Sequence, residues 1–452
     1  MPLLTAIAVL AMTANPACGP LDLETALQLT AARNDEVAIR RAEVEAALAD
    51  VAVARALRIV PEAHVVALVG PTPAARGNVV ASPDSNRQPL RDLGPFGRVE
   101  GTVIQPLFTW GRLQAATDAS EAGAKAQALL MQDDLARVQE RIVRLYWADA
   151  LARRLLAITA DIEQALSEAD RRVARSLERA DGETTQTDRY RLTLFRGIVQ
   201  QRALEARRGR DLARIGLAAA LSLPVGRLSL RESPLEGPGE SIPGAEEAQR
   251  GAEASRLDLQ SIAQAIAAKE AQIRMEEAAA LPQVFVGGVL AYSYAPNRDI
   301  QLNPWVRDYF NEFVLGFFVG VRQDLAFPSL IARASRARAE KEAMERRRDA
   351  LRNLVAAEVD GTLAELRAAV DRLEAAHGTA TAGKSWFQAA TLDFSAGLVE
   401  ARDLVEAYEG YVASQGALAH AAYDVRVARG RLAFATGVLP MLGAARCDVP
   451  SS

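Results

Sequence analysis

One segment of the sequence fits a phosphate-binding pattern. Residues 378–385, with the sequence GTATAGKS, match the P-loop pattern G-x-x-x-x-G-K-[ST]. In that pattern the backbone amides cradle phosphates, while the lysine and the hydroxyl residue, here Lys384 and Ser385, serve the terminal phosphate and Mg²⁺. A P-loop follows a buried strand, but the preceding residues 363–377 are charged and have the period of a helix. The sequence therefore favours a run of small residues inside a long helix, with a nucleotide hydrolase as an alternative hypothesis.

No other residue pattern indicates a reaction centre. The three histidines, His64, His377 and His420, are isolated, and the cysteines and histidines lack the spacing of a metal site. Glutamate and arginine recur at i, i+3 and i, i+4 spacing, which is typical of solvated helix faces and intrahelical pairs. The net charge of -4 disfavours a nucleic-acid binder. We expect no enzyme, and no catalytic, cofactor or metal site.

The distribution of proline predicts very long helices. All 20 prolines lie outside four windows, at residues 21–60, 107–223, 244–281 and 329–439. The two longest windows are rich in Ala, Leu, Arg and Glu, which are good helix formers, and far exceed the usual globular helix of about 11 or 12 residues. We therefore expect an elongated helical molecule.

Aromatic residues follow the opposite distribution. Residues 61–111 and 282–327 hold 13 of the 24 aromatic side chains, together with Pro, Gly, Asn and β-branched runs. This composition is typical of strands and turns. The chain is thus predicted to be mainly α with a small β part.

The same order of elements occurs twice. Short helices, a β segment and long helices are followed by a linker, after which the order repeats. Landmarks recur at a nearly constant offset: Val103–Leu107 with Val321–Leu325, Gly182 and Asp188 with Gly397 and Asp403, and Leu223–Pro224 with Leu439–Pro440. The sequence therefore predicts an internal duplication.

The duplication gives predicted boundaries. A signal peptide over residues 1–17 precedes a first repeat over 18–223, a Pro/Gly-rich linker over 224–245, a second repeat over 246–439 and a tail over 440–452. In the first repeat we predict strands at about 62–70 and 98–107 and long helices at about 112–180 and 185–222. In the second we predict strands at about 283–294 and 313–325 and long helices at about 329–395 and 400–436.

The amino terminus indicates export. Leu3–Met12 is an apolar run followed by small residues, as in a secretory signal peptide, although no Lys or Arg precedes it. A buried first helix is the alternative. Cys18 is a candidate lipidation site; cleavage beyond it, or a disulfide with Cys447 in an oxidising compartment, are the competing possibilities.

The β segments have the pattern of membrane strands. Residues 313–322 place Phe313, Leu315, Phe317 and the valines that follow on one face, with glycine and arginine on the other. Residues 283–294 alternate similarly, and each segment has about the nine to eleven residues that a tilted strand needs to cross a bilayer. A soluble sheet with one buried face would show the same alternation. Four strands cannot close a barrel in lipid, so a membrane barrel would have to be shared between chains.

The long helices are predicted to form hairpins. Apolar residues at spacings of four and three, such as Leu151, Leu155 and Ile158, form a coiled-coil stripe. Gly182 and Gly397 are the predicted turns at which each long helix reverses.

These features together resemble the TolC-like outer-membrane efflux channel proteins. The resemblance rests on the duplicated order of elements and on three segments: Leu21–Leu27 (LDLETAL), Gln105–Gly111 (QPLFTWG) and Gly397–Asp403 (GLVEARD). It implies a homotrimer in outer-membrane lipid, with a shared 12-stranded β-barrel continued by an α-helical tunnel across the periplasm. The implied partners are a periplasmic adaptor protein and an inner-membrane transporter, in a tripartite efflux or type I secretion system. A soluble elongated coiled-coil scaffold or adaptor of the periplasm is the alternative function.

The carboxylates after the hairpin turns are candidates for the periplasmic aperture. Asp403 and Glu406 are three residues apart, on one face of the returning helix, and Asp188 is the counterpart of Asp403 in the first repeat. A ring of such carboxylates would make the closed entrance cation-selective. Acids in the first turns of a helix can instead simply oppose its macrodipole. Glu406 stands where relatives often carry a second aspartate.

Overall fold

The computed structural model describes residues 19–76, 92–179, 184–235, 241–300, 305 and 307–440. The predicted signal peptide, Cys18, Gly182 and Cys447 lie outside these ranges.

The described residues are mainly helical, with four strands, as the sequence predicts. Two short helices, α1 and α2, precede strands β1 and β2 and helices α3 and α4; α5, α6, β3, β4, α7 and α8 follow in the same order. The bounds are α1 Leu23–Arg33, α2 Asp35–Ile59, β1 Glu62–Pro73, β2 Leu93–Phe108, α3 Arg112–Arg179, α4 Gln186–Ala220, α5 Ala245–Ser255, α6 Leu257–Ala278, β3 Gln283–Tyr294, β4 Glu312–Arg322, α7 Phe327–Ala396 and α8 Ala401–Ala435. The duplicated pair of long helices is therefore present in each half.

The chain divides into two compact units. The first contains residues up to 43, residues 128–261 and residues from 348 onward. The second contains residues 44–127 and 262–347.

The first unit is held together by packed helix faces. One buried cluster joins α3, α4, α7 and α8 through apolar side chains that are almost fully buried, among them Ile162, Leu166, Leu192, Leu404 and Tyr408. Burial raises the pKa of the Tyr408 hydroxyl above its usual value, because the charged form would lose its water. The four helices thus pack as the coiled-coil pattern requires.

The second unit contains the sheet. Its strands lie in the order β1-β2-β3-β4, and all neighbours are antiparallel. Strand β2 begins at Leu93, before the predicted start near residue 98, because its first residues pair with the end of β1 through Pro73 and Leu93. Strand β4 ends at Arg322 rather than near residue 325.

Among the described helices, none combines the length and apolarity needed to cross a bilayer.

Candidate functional site

One face of the sheet is apolar from edge to edge. The strand register places alternate residues of all four strands side by side on this apolar face. Its larger apolar members are Val65, Ala67 and Val69 of β1; Val99 and Val103 of β2; Val286, Leu290, Tyr292 and Tyr294 of β3; and Phe313, Leu315, Phe317, Val319 and Val321 of β4. Gln105 of β2, opposite Val286, also lies on this face. Phe317 is 81% exposed and Val69 91%, so nothing in the described chain covers this face.

The opposite face of the sheet, called the polar face below, carries charged side chains among apolar ones such as Val66, Leu68 and Phe318. It carries Arg98 and Glu100 of β2 and Glu312 of β4, close to the end where the strand-to-strand loops lie. Arg98 Nη1 lies 2.9 Å from Glu312 Oε1, and Arg98 Nη2 lies 2.9 Å from Glu100 Oε2. This charged cluster was not predicted from the sequence, although the polar alternation of Arg98, Glu100 and Thr102 in β2 was a signal for it.

Both outer strands of the sheet have an unpaired edge. Among the described residues, strand β1 pairs only with β2, and β4 pairs only with β3. Unpaired strand edges carry free N–H and C=O groups, which cannot be left without partners in lipid. The sheet of one chain is therefore incomplete as a membrane-spanning structure.

Helix α7 ends in a turn that requires glycine. Gly397 has a φ of +76°, a left-handed conformation that a residue with a Cβ adopts only at a cost of about 1–2 kcal/mol. Its N–H donates to Phe394 O at 3.1 Å, and the Leu398 N–H donates to Asp393 O at 2.8 Å. This is the Schellman pattern that ends helices, and it lets α8 start at Ala401.

Asp403 and Glu406 lie on the exposed side of the first turns of α8. The adjacent residues Leu404 and Ala407 are fully buried and fix the other face of the helix against its neighbours. Glu406 Oε1 accepts a hydrogen bond from Arg402 Nε at 2.9 Å. Within the described part of the chain, the carboxylate of Asp403 makes no hydrogen bond and no ion pair. The two carboxylates therefore differ, because Glu406 is hydrogen-bonded to Arg402, whereas Asp403 interacts with the charge of Arg402 only at longer range.

Asp188 has a different environment from its counterpart Asp403. Its carboxylate accepts from the Thr185 N–H at 2.9 Å and from the Thr185 hydroxyl at 2.8 Å. The Thr185 hydroxyl in turn accepts from the Asp188 N–H at 3.4 Å, which completes a capping box at the start of α4. Arg191 also lies 3.2 Å from this carboxylate. The described contacts do not join Asp188 to Asp403 or Glu406.

The P-loop match lies inside the last third of helix α7. Residues 378–385 are helical throughout, so their backbone amides are used within the helix and cannot cradle a phosphate. A Cβ at Gly383 would clash with Ser414 of α8, so glycine serves the close approach of the two helices. Gln415 Nε2 donates to Ala380 O at 2.9 Å across the same contact. The run of small residues thus packs helices, as the sequence favoured.

The histidines are not gathered into a site. His64 Nε2 lies 2.9 Å from Glu62 Oε1 on the exposed surface of β1. In the ranges that the structure describes, no group of three metal-ligating side chains occurs.

Residues 250–438 match the family model of the outer membrane efflux protein. No curated protein matches the chain. Among solved structures, the chain is similar to the CmeC outer membrane channel of Campylobacter jejuni, with 14% identity, 92% of this chain and 85% of that chain covered, and a TM-score of 0.75. It is also similar to the open state of the MtrE outer membrane channel of Neisseria gonorrhoeae, with 15% identity, 95% and 91% coverage and a TM-score of 0.72. The outer membrane protein VceC of Vibrio cholerae matches with 16% identity, 92% and 96% coverage and a TM-score of 0.70.

Proposed function

We propose that this chain, whose residues 250–438 match the outer membrane efflux protein family, is the outer-membrane channel component of a tripartite efflux or type I secretion system. It acts as a passive duct and not as an enzyme. The observation that carries this proposal is the sheet, which has one face of almost entirely apolar residues, one face that carries the charged residues, and two edges that are unpaired among the described residues. The description of the matched family also gives the location, which is the outer membrane.

We propose that three chains complete the barrel. With four strands per chain, edge β4 of one chain would pair with edge β1 of the next, and three copies would give a twelve-stranded barrel. The apolar face would contact lipid, and the polar face would line the lumen. In such a closed barrel no strand edge is left unpaired, which removes the penalty that one sheet alone would suffer in lipid.

The ends of the helical hairpins are the proposed contact with a periplasmic adaptor protein and an inner-membrane transporter. Large apolar side chains are exposed there, including Tyr190 and Leu194 of α4 and Leu398 beside the turn at Gly397. Such residues are costly in water and favour a packed neighbour. The names of CmeC and MtrE describe outer membrane channels, which supports the same role for this chain.

A soluble periplasmic scaffold is less favoured, because it gives no reason for a sheet whose apolar face is exposed from β1 to β4. Such a face in water would favour aggregation.

The assembly can be tested directly. We expect the protein to fractionate with the outer membrane, to need detergent for extraction, and to run in mild detergent as a trimer whose chemical cross-linking stops at three chains. A monomer that is stable without detergent and retains its full β content would contradict the proposal.

The aperture is a second, separate proposal. We propose that Asp403 and Glu406 line the periplasmic entrance of the channel, where copies from three chains would converge and favour cations. In planar bilayers, we expect Asp403→Ala with Glu406→Ala to reduce cation selectivity and block by divalent or trivalent cations, without lowering the trimer yield. Because Glu406 is already paired with Arg402, Asp403→Asn alone should account for most of the change.

Asp188→Asn provides the matched control. Its carboxylate completes the capping box at the start of α4 by accepting from the Thr185 N–H, so its replacement should cost about 0.5–1.5 kcal/mol of stability and change selectivity little. Unchanged selectivity and unchanged cation block in the double variant would leave Asp403 and Glu406 with only a role at the helix start.

A further inference from the structure

The loop between β3 and β4 is fastened to the end of the sheet. Its two described arms are residues 295–300 and 307–311. The Ala295 N–H donates to Asn311 Oδ1 at 2.7 Å, which joins the arms to each other. The Ser293 hydroxyl donates to Tyr309 O at 2.9 Å, which joins the second arm to β3.

A buried ion pair holds these arms in place. The side chains of Arg298 and Asp308 are only 4% and 6% exposed, and two nitrogens of the guanidinium lie 3.1 and 3.2 Å from the two carboxylate oxygens. Arg298 Nη1 also donates to Pro73 O at 2.7 Å, and the guanidinium lies 4.7 Å from the centre of the Phe310 ring. A bidentate pair with a further backbone partner satisfies most donors of the arginine and makes the loop position specific. The β3–β4 loop is thus tied to the end of β1.

The arms fold over the polar face of the sheet and not over the apolar face. Asn297 occupies the space next to Gly94 that a Cβ at that position would need. The Phe310 ring packs edge-to-face on Phe96 with their centres 5.0 Å apart. Tyr309 O accepts from Arg98 Nη1 at 3.4 Å. Gly94, Phe96 and Arg98 are alternate residues of β2 and share one face with Glu100 and Glu312.

The β3–β4 loop lies at a defined end of the sheet. The chain enters and leaves the sheet through α2, α3, α6 and α7 at one end, while the β1–β2 and β3–β4 connections lie at the other. In a barrel whose helices extend into the periplasm, the loops lie at the outer mouth.

From this geometry we infer that the two arms of the β3–β4 loop form a fixed constriction of the outer mouth, which bars bulky solutes outside the cell from the lumen. The inference rests on the proposed function, because it takes the polar face as the lumen. In the trimer the arms of all three chains would point into the lumen. Arg98, Glu312 and Arg307 give the constriction a charged lining, since Arg307 Nε lies 2.6 Å from Glu312 Oε2.

Thiol labelling of intact cells tests the constriction. Thr102→Cys lies on the polar face, four residues along β2 from Arg98, or about 13 Å deeper. We expect a small membrane-impermeant thiol reagent added outside to label it, and a bulky polyethylene glycol maleimide to label it slowly. Removing both charges with Arg298→Ala and Asp308→Ala should raise the bulky-reagent rate at least about tenfold and leave the small-reagent rate nearly unchanged. Labelling of the chain without an added cysteine is subtracted.

Two comparisons keep the test decisive. Asn297→Ala with Phe310→Ala removes side chains over the polar face but keeps the buried ion pair, and should raise the bulky-reagent rate even if the first variant assembles poorly. Equal bulky-reagent rates in the parent and in assembled trimers of either variant would overturn the constriction. Val103→Cys, on the apolar face, should resist both reagents. Equal labelling at positions 102 and 103 would instead overturn the assignment of the lumen, and with it both the proposed barrel and the constriction.

Discussion

Phe317→Arg should prevent assembly of the channel in the membrane. Phe317 lies at the middle of β4, on the apolar face, and is 81% exposed within one chain. In the proposed barrel this position faces the middle of the bilayer, where an arginine costs about 2–4 kcal/mol. Since each trimer would contain three such residues, we expect a large loss of trimers from the outer-membrane fraction. The measurement is the yield of cross-linkable trimer in that fraction.

The neighbouring residue provides a control of the same type. Phe318 also lies near the middle of β4 but on the polar face, where its ring packs edge-to-face on Phe285. Phe318→Arg loses that packing but places its charge in the aqueous lumen, so trimers should still form. Similar yields for the two variants would contradict the assignment of the two faces. If Phe318→Arg lost its trimers while Phe317→Arg kept them, the lipid-facing and lumen-facing sides of the sheet would have to be exchanged.

The regular elements could be predicted because their residues follow simple periods. Strand β4 has a bulky apolar residue at every second position from Phe313 to Val321, so its apolar face is visible without a structure, although Val314 and Phe318 alternate with the glycines on its other face. Strands β1 and β2 are less obvious, since small residues such as Ala67 and Gly101 occupy the apolar face. The long helices were predictable from the absence of proline, and the order of elements from the duplication.

Polar contacts between distant residues could not be predicted in the same way. The Arg298–Asp308 pair depends on how an irregular loop folds, and no period connects the two residues. The role of Asp188 did have a signal, because Thr185 and Asp188 fit the capping-box pattern with aspartate in the place of glutamate. The match of Asp188 with Asp403 between the two repeats suggested a shared role instead of a capping role. The counterpart of a capping residue in the other repeat need not cap a helix.

The duplication also contains a conserved arrangement built from different residues. Asn34 lies between α1 and α2, is 5% exposed, and donates from Nδ2 to Ala220 O at 2.8 Å, at the last residue of α4. Arg256 occupies the corresponding place between α5 and α6, is 4% exposed, and donates from Nη1 to Ala435 O at 3.4 Å, at the last residue of α8. In both repeats one buried side chain therefore satisfies a carbonyl that the helix end leaves free. Sequence alignment cannot show this, because an amide and a guanidinium do the same work.

Arg256 has acquired further partners that Asn34 lacks. Its guanidinium lies 2.7 Å from Asp258 Oδ2 and 2.8 Å from Glu358 Oε2, and its carbon lies 5.0 Å from the centre of the Phe434 ring. Burial lowers the pKa of Arg256, but hydrogen bonding and attraction to these carboxylates outweigh it, so that the pKa is raised overall. One side chain thus connects α6, α7 and α8 to the end of α5.

Arg256→Ala should therefore destabilise the helical part far more than Asn34→Ala. Removing the arginine leaves Asp258 with its side chain only 11% exposed and without its cation, and breaking a buried pair in this way typically costs about 3–5 kcal/mol. Asn34→Ala removes the bond to Ala220 and the cap that Asn34 Oδ1 gives to the Val37 N–H at 3.0 Å, and this loss should cost about 0.5–2 kcal/mol.

Midpoints of unfolding, measured by circular dichroism of the detergent-solubilised protein, give the comparison between the two variants. Adding Asp258→Asn and Glu358→Gln to Arg256→Ala should recover part of the loss, because no buried carboxylate is then left unpaired. A loss no larger than that of Asn34→Ala, or no recovery on neutralising both acids, would mean that the ion pairs contribute little and that Arg256 acts only as the counterpart of Asn34.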